Sequence, residues 1–206
     1  MYLVKSPLLL KWYYPQLTWN KTRDDKVIYL TFDDGPIPDV TDFVLKTLRS
    51  YSAKATFFCI GDNILKYPQI FERIKNAEHS IGNHTFNHLK GWDTSDDIYI
   101  QNFQKCQQQT GTNLFRPPYG RIKKSQIWKI KLQYPDTEIV MWDTLSGDFD
   151  ANLSPEKCLQ NVINHTKNGS IIVFHDSIKA SKRIYYALPR VLAHFSKLGY
   201  TFDQLG

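Results

Sequence analysis

From Lys26 onward the chain alternates short apolar runs with segments whose apolar residues recur at helical spacing, and this alternation restricts it more than any other feature. Such a pattern specifies a parallel sheet covered by helices. Strands are expected over 27–32, 55–60, 80–83, 114–116, 139–142, 171–174 and 200–202. Helices are expected over 40–51, 64–77, 96–109, 122–132, 155–167 and 183–198. Ser95 stands where an N-cap belongs, and Pro155 falls at a first helical turn, where proline is tolerated. No glycine-rich phosphate fingerprint follows the first strand, which argues against a dinucleotide-binding sheet. Short strands buried on both faces fit a closed or nearly closed barrel instead. At 206 residues the length suits one domain. The expected architecture is therefore α/β, a single-domain distorted (β/α) barrel over 26–206, with 1–25 an aromatic-rich arm packed on it.

Charge and cysteine content narrow the class further. The net charge of +6 and the pI near 9.1 come from Lys and Arg scattered among acids. No basic run, recognition helix or basic aromatic motif is present, so no nucleic-acid partner is expected. Cys59, Cys106 and Cys158 are too few and too widely spaced for a disulfide framework or a zinc ribbon. One lies in an apolar strand-like run and two in helical segments, so buried free thiols are expected. Leu8–Leu9–Leu10 is too short for a secretory core, which needs roughly 7–15 apolar residues, or for a membrane span of about 20. On this reading the expected location is cytoplasmic, with cell-envelope association left open, no transmembrane segment, and a monomeric state.

The chemistry-bearing residues cluster by position. Asp33 and Asp34 end the first strand, His84 and His88 follow the third, and Arg116 ends the fourth. Asp148 follows Trp142, and His175 ends the run 171–174. In barrels of this type the active site is assembled at the carboxyl ends of the strands. His84-Thr85-Phe86-Asn87-His88 sets two imidazoles four residues apart, a spacing that on a helical turn would put both on one face. Alone, such a pair is more often two surface histidines. With Asp34 at the same barrel mouth, two His and one carboxylate make a ligand set for a catalytic divalent metal. Asp33-Asp34 alone would more often be an acidic turn. Adjacent carboxylates repel unless a cation intervenes, and a metal on Asp34 would leave Asp33 as a base. His175 alone would be a satisfied core histidine, and its other role is a general acid. Arg116 and Asp148 could be a surface cation and a turn acid, and they gain meaning only as partners of the others.

Five stretches in order resemble the motifs of the polysaccharide deacetylases, the NodB-homology domain of carbohydrate esterase family 4. They are Thr31-Phe32-Asp33-Asp34-Gly35-Pro36, then 84–88, then Arg116-Pro117-Pro118-Tyr119-Gly120, then Trp142-Asp143 through Asp148-Phe149, and Val173-Phe174-His175-Asp176. Each is weak alone; five in sequence, covering roughly 26–203, make accident implausible. The resemblance implies a NodB-like barrel of seven or eight strands that removes acetyl groups from N-acetylglucosamine-containing poly- or oligosaccharides such as peptidoglycan, chitin-like polymers or exopolysaccharide. It further implies Asp33 as base, His175 as acid, and Asp34, His84 and His88 as ligands of one divalent metal. Zinc is the first expectation, and cobalt, nickel or iron suit the same set. Arg116 would orient Asp33, Asp148 would orient and charge His175, and the Tyr119 backbone N–H would help hold an oxyanion. Phe149 and Val173 stand where relatives commonly carry Trp and Leu, which implies a roomier acyl pocket. The competing expectations are a glycan-binding barrel without turnover and a hydrolase of small non-sugar amides.

Overall fold

The computed structural model describes residues 2–206. Val27–Asp33 (β1), Thr56–Cys59 (β2), Ser80–Asn83 (β3), Leu114–Phe115 (β4), Glu138–Ile139 (β5), Thr144–Leu145 (β6), Ile171–His175 (β7) and Thr201–Asp203 (β8) form one sheet. Its order is β5-β4-β3-β2-β1-β7-β6, with β8 also paired to β1, and every ladder is parallel. The terminal strands of that path, β5 and β6, are consecutive pieces of the single stretch 138–145. The sheet therefore curls back on itself, as the expected distorted barrel requires. The helices are Leu8–Tyr13 (α1), Val40–Arg49 (α2), Gly61–Lys66 (α3), Pro68–Asn76 (α4), Asp96–Thr110 (α5), Lys124–Gln133 (α6), Pro155–His165 (α7) and Ser181–Lys197 (α8). Among the described residues no helix is long and apolar enough to cross a membrane.

Side-chain alternation along β7 separates the two sides of the sheet. Ile172 and Phe174 pack outward with Leu30 and Phe32 against α2, α7 and α8. Ile171 faces inward to meet Phe58, Leu114 and Val140. With a period of two, Val173 and His175 share that inner side. The three cysteines are free and buried, and burial pushes the Cys106 thiol up to about 12.

Three local expectations are corrected. The helix expected over 64–77 is two, because Pro68 lacks an N–H and holds Tyr67 out of the helical region, at φ −130° and ψ 54°. Ser95 occupies the N-cap of α5 but its side chain makes no cap bond, whereas Ser154, on which α7 opens, accepts from the Lys157 N–H. The strand expected over 139–142 is short: after Ile139 the chain pairs with Thr18 of the N-terminal segment, and a further strand, β6, begins only at Thr144.

Residues 2–25 run along the seam between β5 and β6. Lys5 bridges Thr144 antiparallel and Thr18 bridges Val140 parallel, so this segment touches both ends of the curled sheet. Asp143 anchors it. Its fully buried carboxylate receives Lys5 Nζ at 2.6 Å, Lys11 Nζ at 2.7 Å, Arg23 Nη2 at 3.0 Å and the Ser170 hydroxyl at 2.6 Å. Burial alone would raise the Asp143 pKa. The bonds from Lys11, Lys5 and Ser170 outweigh it and hold the carboxyl below its ordinary range. A depressed carboxylate contributes stability above its unfolded pKa, about 4, which is lost as pH falls through the folded value. Asp143→Asn is expected to cost about 2 kcal/mol at pH 7, less than for a fully buried pair because the cations reach solvent. In urea titrations the gap between wild type and variant should narrow below about pH 4; a gap independent of pH would remove the charge from the account.

Candidate active site

At the carboxyl end of the sheet the chain concentrates its unusual backbone. Asp34, Thr85, His88 and Tyr119 all take positive φ, at 85°, 62°, 57° and 59°. This corrects the helical-turn expectation for 84–88. The two imidazoles meet, with ring centroids 5.1 Å apart, because left-handed residues fold the loop back on itself. Two asparagines hold that loop. Asn83 Oδ1 accepts from the Thr85 N–H at 2.8 Å while its amide donates to the Phe103 carbonyl of α5. Asn102 Oδ1 accepts from the N–H groups of Phe86 and Asn87. Sequence reasoning singled out neither. Asn83 adjoins the histidine motif, but nothing in the sequence marks Asn102.

The Asp34, His84 and His88 ligand atoms lie within 4.8 Å of one another. Asp34 Oδ1 stands 3.3 Å from His88 Nε2 and 3.8 Å from His84 Nε2. Ligands about 2.1 Å from a tetrahedral ion stand roughly 3.4 Å apart, so the spacing suits one. Asp34 Oδ1 is buried without a hydrogen bond, the kind of orphan a cation would satisfy. Burial would raise the Asp34 pKa, but His88, His175 and His84 outweigh it and hold the carboxyl below its ordinary range. His84 Nδ1 lies 2.8 Å from the Arg116 carbonyl, which can only accept, so the proton is on Nδ1 and Nε2 presents a lone pair. Burial, reinforced by His88, pushes the His84 pKa down to about 4 against the pull of Asp33 and Asp34, leaving a neutral ring. The group fits a divalent ion.

Asp33 and Arg116 form the floor. Arg116 is fully buried, and its Nη1 donates to Asp33 Oδ1 at 2.7 Å and to the Thr31 hydroxyl at 2.6 Å. Nε and Nη2 donate to the carbonyls of Val140 and Met141, and the guanidinium lies over the Phe58 ring at 4.1 Å. Opposite stands His175, whose Nδ1–H donates to Asp148 Oδ1 at 2.7 Å while its backbone N–H donates to Oδ2 at 2.6 Å. Burial would lower the His175 pKa. The charge and hydrogen bond of Asp148, with Asp34 and Asp33, overcome it and push the value up to about 10. The Phe149 ring is 5.3 Å from that of His175, the exposed Tyr119 ring is 4.6 Å from that of His88, and Val173 is buried two residues below His175. The structure thus brings Asp33, Asp34, His84, His88, Arg116, Tyr119, Asp148, Phe149 and His175 together at one end of the sheet, with Val173 buried below His175.

Asp176 closes the fifth motif. It is buried, accepts from the Gly35 N–H at 2.9 Å and the Thr41 hydroxyl at 2.6 Å, and so pins the turn that carries Asp34. A Cβ on Gly35 would run into that carboxylate.

A family model described as polysaccharide deacetylase matches residues 20–134. A peptidoglycan-N-acetylglucosamine deacetylase of Bacillus cereus is 34% identical over 193 residues, covering 90% of this chain and 89% of that protein. The chain belongs to the polysaccharide deacetylase family. A chitooligosaccharide deacetylase of Azorhizobium caulinodans is 35% identical over 166 residues, 75% of this chain and 76% of the other. The crystal structure of the peptidoglycan N-acetylglucosamine deacetylase Bc1960, in complex with 4-naphthalen-1-yl-N-oxidanyl-benzamide, superposes with a TM-score of 0.88 at 28% identity, over 97% of this chain and 95% of that one. The α/β barrel expected from the sequence is the fold of this family, whose deacetylases are metalloenzymes that hydrolyse amide carbon–nitrogen bonds.

One consequence can be measured directly. In chelator-treated protein, nitrogen-15 NMR should find His84 neutral, with the proton on Nδ1, at pH 6 and still largely so at pH 5. An imidazolium signal for His84 at pH 6 would contradict the neutral state assigned to the ring, and a neutral ring protonated on Nε2 would contradict the hydrogen-bond assignment.

Proposed function

We propose that the protein is a metal-dependent hydrolase that removes N-acetyl groups from N-acetylglucosamine-containing poly- or oligosaccharides. The observation that carries this reading is the pairing of a carboxylate and an imidazole across one ligand group. Asp33 is bound to a buried arginine, His175 is bound to a buried aspartate, and Asp34, His84 and His88 lie beside them. Bound there, a divalent ion would supply Lewis acidity, polarising the acetamide carbonyl and making water a better nucleophile.

Asp33 takes the proton from the attacking water. Its carboxylate is aimed by Arg116, which also keeps one oxygen occupied and the other free towards His84 and the ligand group. The Tyr119 N–H, turned by left-handed backbone, contributes a donor for the charge developing on the carbonyl oxygen. His175 protonates the departing nitrogen, which could not leave as an amide anion. Asp148 fixes the His175 tautomer, so that Nε2 carries the transferable proton. Phe149 and Val173 border the space next to His175 where the methyl of an acetyl group would sit.

The completeness of this machinery favours turnover over a glycan-binding barrel. The names of the relatives favour glycans over small amides: peptidoglycan and chitooligosaccharide deacetylases. Acetate release from a panel of defined N-acetylated oligosaccharides and from small acetamides separates these readings.

The ligand and proton-transfer roles separate by mutation. Purified protein should bind about one divalent ion per chain. His84→Ala should lose the metal, whereas Asp33→Asn should keep it and lose at least about 10²-fold in kcat. Metal loss in Asp33→Asn with activity retained would reverse the two aspartates.

The pH profile tests the other pair. Asp33 must be ionised, which sets the acidic limb of kcat/KM, and His175 must be protonated, which sets the basic limb. Asp148 raises the His175 pKa, so Asp148→Asn should shift the basic limb to lower pH and reduce the rate at the optimum. A fall in rate with that limb unmoved would mean that Asp148 acts on something other than His175.

A further inference from the structure

Helix α1 reads LLLKWY, yet none of its residues is buried. Leu8 is 82%, Leu9 75% and Trp12 78% exposed. A helix this short gains little from its own hydrogen bonds and normally depends on packing an apolar face against the core. Here the inward side chain is instead Lys11, whose ammonium reaches Asp143 and Asn20. The leucines and the tryptophan are left together in solvent, an arrangement that marks an interaction surface.

What adjoins them identifies the partner. Beside Leu8 opens a groove of about 690 Å³ whose charged lining is Lys5, Lys11, Arg23, Lys167 and Asp143. Four cations face a single carboxylate. Lys5, Lys11 and Arg23 already converge on Asp143, so the groove keeps a surplus of positive charge. Burial in the groove holds the Lys5 pKa below the ordinary lysine range, against the pull of Asp143. The Lys124 ammonium lies over the Tyr13 ring at 4.1 Å and adds a further cation at the other end of the helix.

The groove lies at the end of the sheet where strands begin. Lys167 and Asn168 precede β7 and Tyr200 precedes β8, whereas His175 stands where β7 ends. Apolar side chains and tryptophan next to surplus cations form the pattern that settles into the headgroup–acyl boundary of an anionic bilayer. Leucines offer no flat ring for sugars, and a purely protein partner would not require the excess charge.

We propose that α1 and this groove dock the protein on an anionic phospholipid surface. Leu8, Leu9 and Trp12 enter the boundary region, and the groove cations receive lipid phosphates. The proposal is independent of the catalytic assignment.

The test uses the full chain with vesicles of phosphatidylcholine alone or with about 30% phosphatidylglycerol. The protein should sediment with the anionic vesicles, and binding should fall when salt is raised from about 0.1 to 1 M. Leu9→Glu with Trp12→Glu should weaken binding about tenfold or more, and Lys167→Glu by roughly fivefold, with circular dichroism and deacetylase activity unchanged. Leu9, Trp12 and Lys167 are all exposed, so the two variants check each other against misfolding. Failure of wild type to bind the anionic vesicles would overturn the proposal, as would binding that survives both sets of substitutions. Thermal stabilisation by inorganic phosphate without vesicle binding would overturn it in favour of a soluble anion site. A dimer in sedimentation equilibrium that the α1 substitutions dissociate, again without vesicle binding, would assign the face to a second copy.

Discussion

The buried guanidinium of Arg116 is the interaction on which the site depends. A fully buried cation is unfavourable unless it is both paired and saturated with hydrogen bonds. Here Asp33 supplies the charge, and Thr31, Val140 and Met141 take three of the four remaining N–H donors. Those acceptors lie on β1 and on the stretch between β5 and β6, so one side chain ties the sheet's central strand to its seam. The carbonyl of the same residue orients His84. Removing the guanidinium would release the base, and moving its backbone would turn a ligand.

Around that point the mouth divides into two electrostatic halves. On one side, burial lowers the pKa of His84 and leaves it neutral, the state in which an imidazole offers a lone pair. On the other, Asp148 reverses the effect of burial on His175 and keeps it charged, the state that can give up a proton. Two histidines on neighbouring parts of one surface thus hold opposite protonation states. The difference lies in what Nδ1 meets: a carbonyl for His84, a carboxylate for His175.

Much of this was legible in the sequence because strand ends and side-chain type are both local properties. The runs 27–32 and 171–174 are continuous apolar strands in either view, and the residues just past them are the ones that meet at the mouth. What escaped depended on tertiary context. The interruption at Tyr67 was signalled by Pro68, but apolar periodicity continued through it and masked the break. The spacing at 84–88 fits a helical turn as well as the loop that forms, because spacing alone cannot distinguish a turn with φ < 0 from one with left-handed residues. β6 is two residues long and has no periodicity to detect. The three-cation anchor at Asp143 draws on residues up to 138 positions apart, a separation at which sequence carries no pairing signal. Asn102 sits in the middle of a helix, where its neighbours give no hint that it braces a loop.

The left-handed backbone has a consequence for anyone wishing to make this protein sturdier. Seven non-glycine residues among those described take positive φ, and four of them, Asp34, Thr85, His88 and Tyr119, belong to the mouth. Each stores conformational energy that glycine would release, but at Asp34, His88 and Tyr119 it would surrender a side chain that lines the site, whereas Thr85 holds the histidine loop to Asn83 through its backbone N–H, which glycine would keep. Ser52 and Glu78, at φ 49° and 56°, carry the same kind of strain in turns far from the chemistry. Glycine at those two positions is where a thermostabilising design can draw on backbone relaxation without touching the reaction. The fold thus separates strain that can be engineered away from strain that the active site requires.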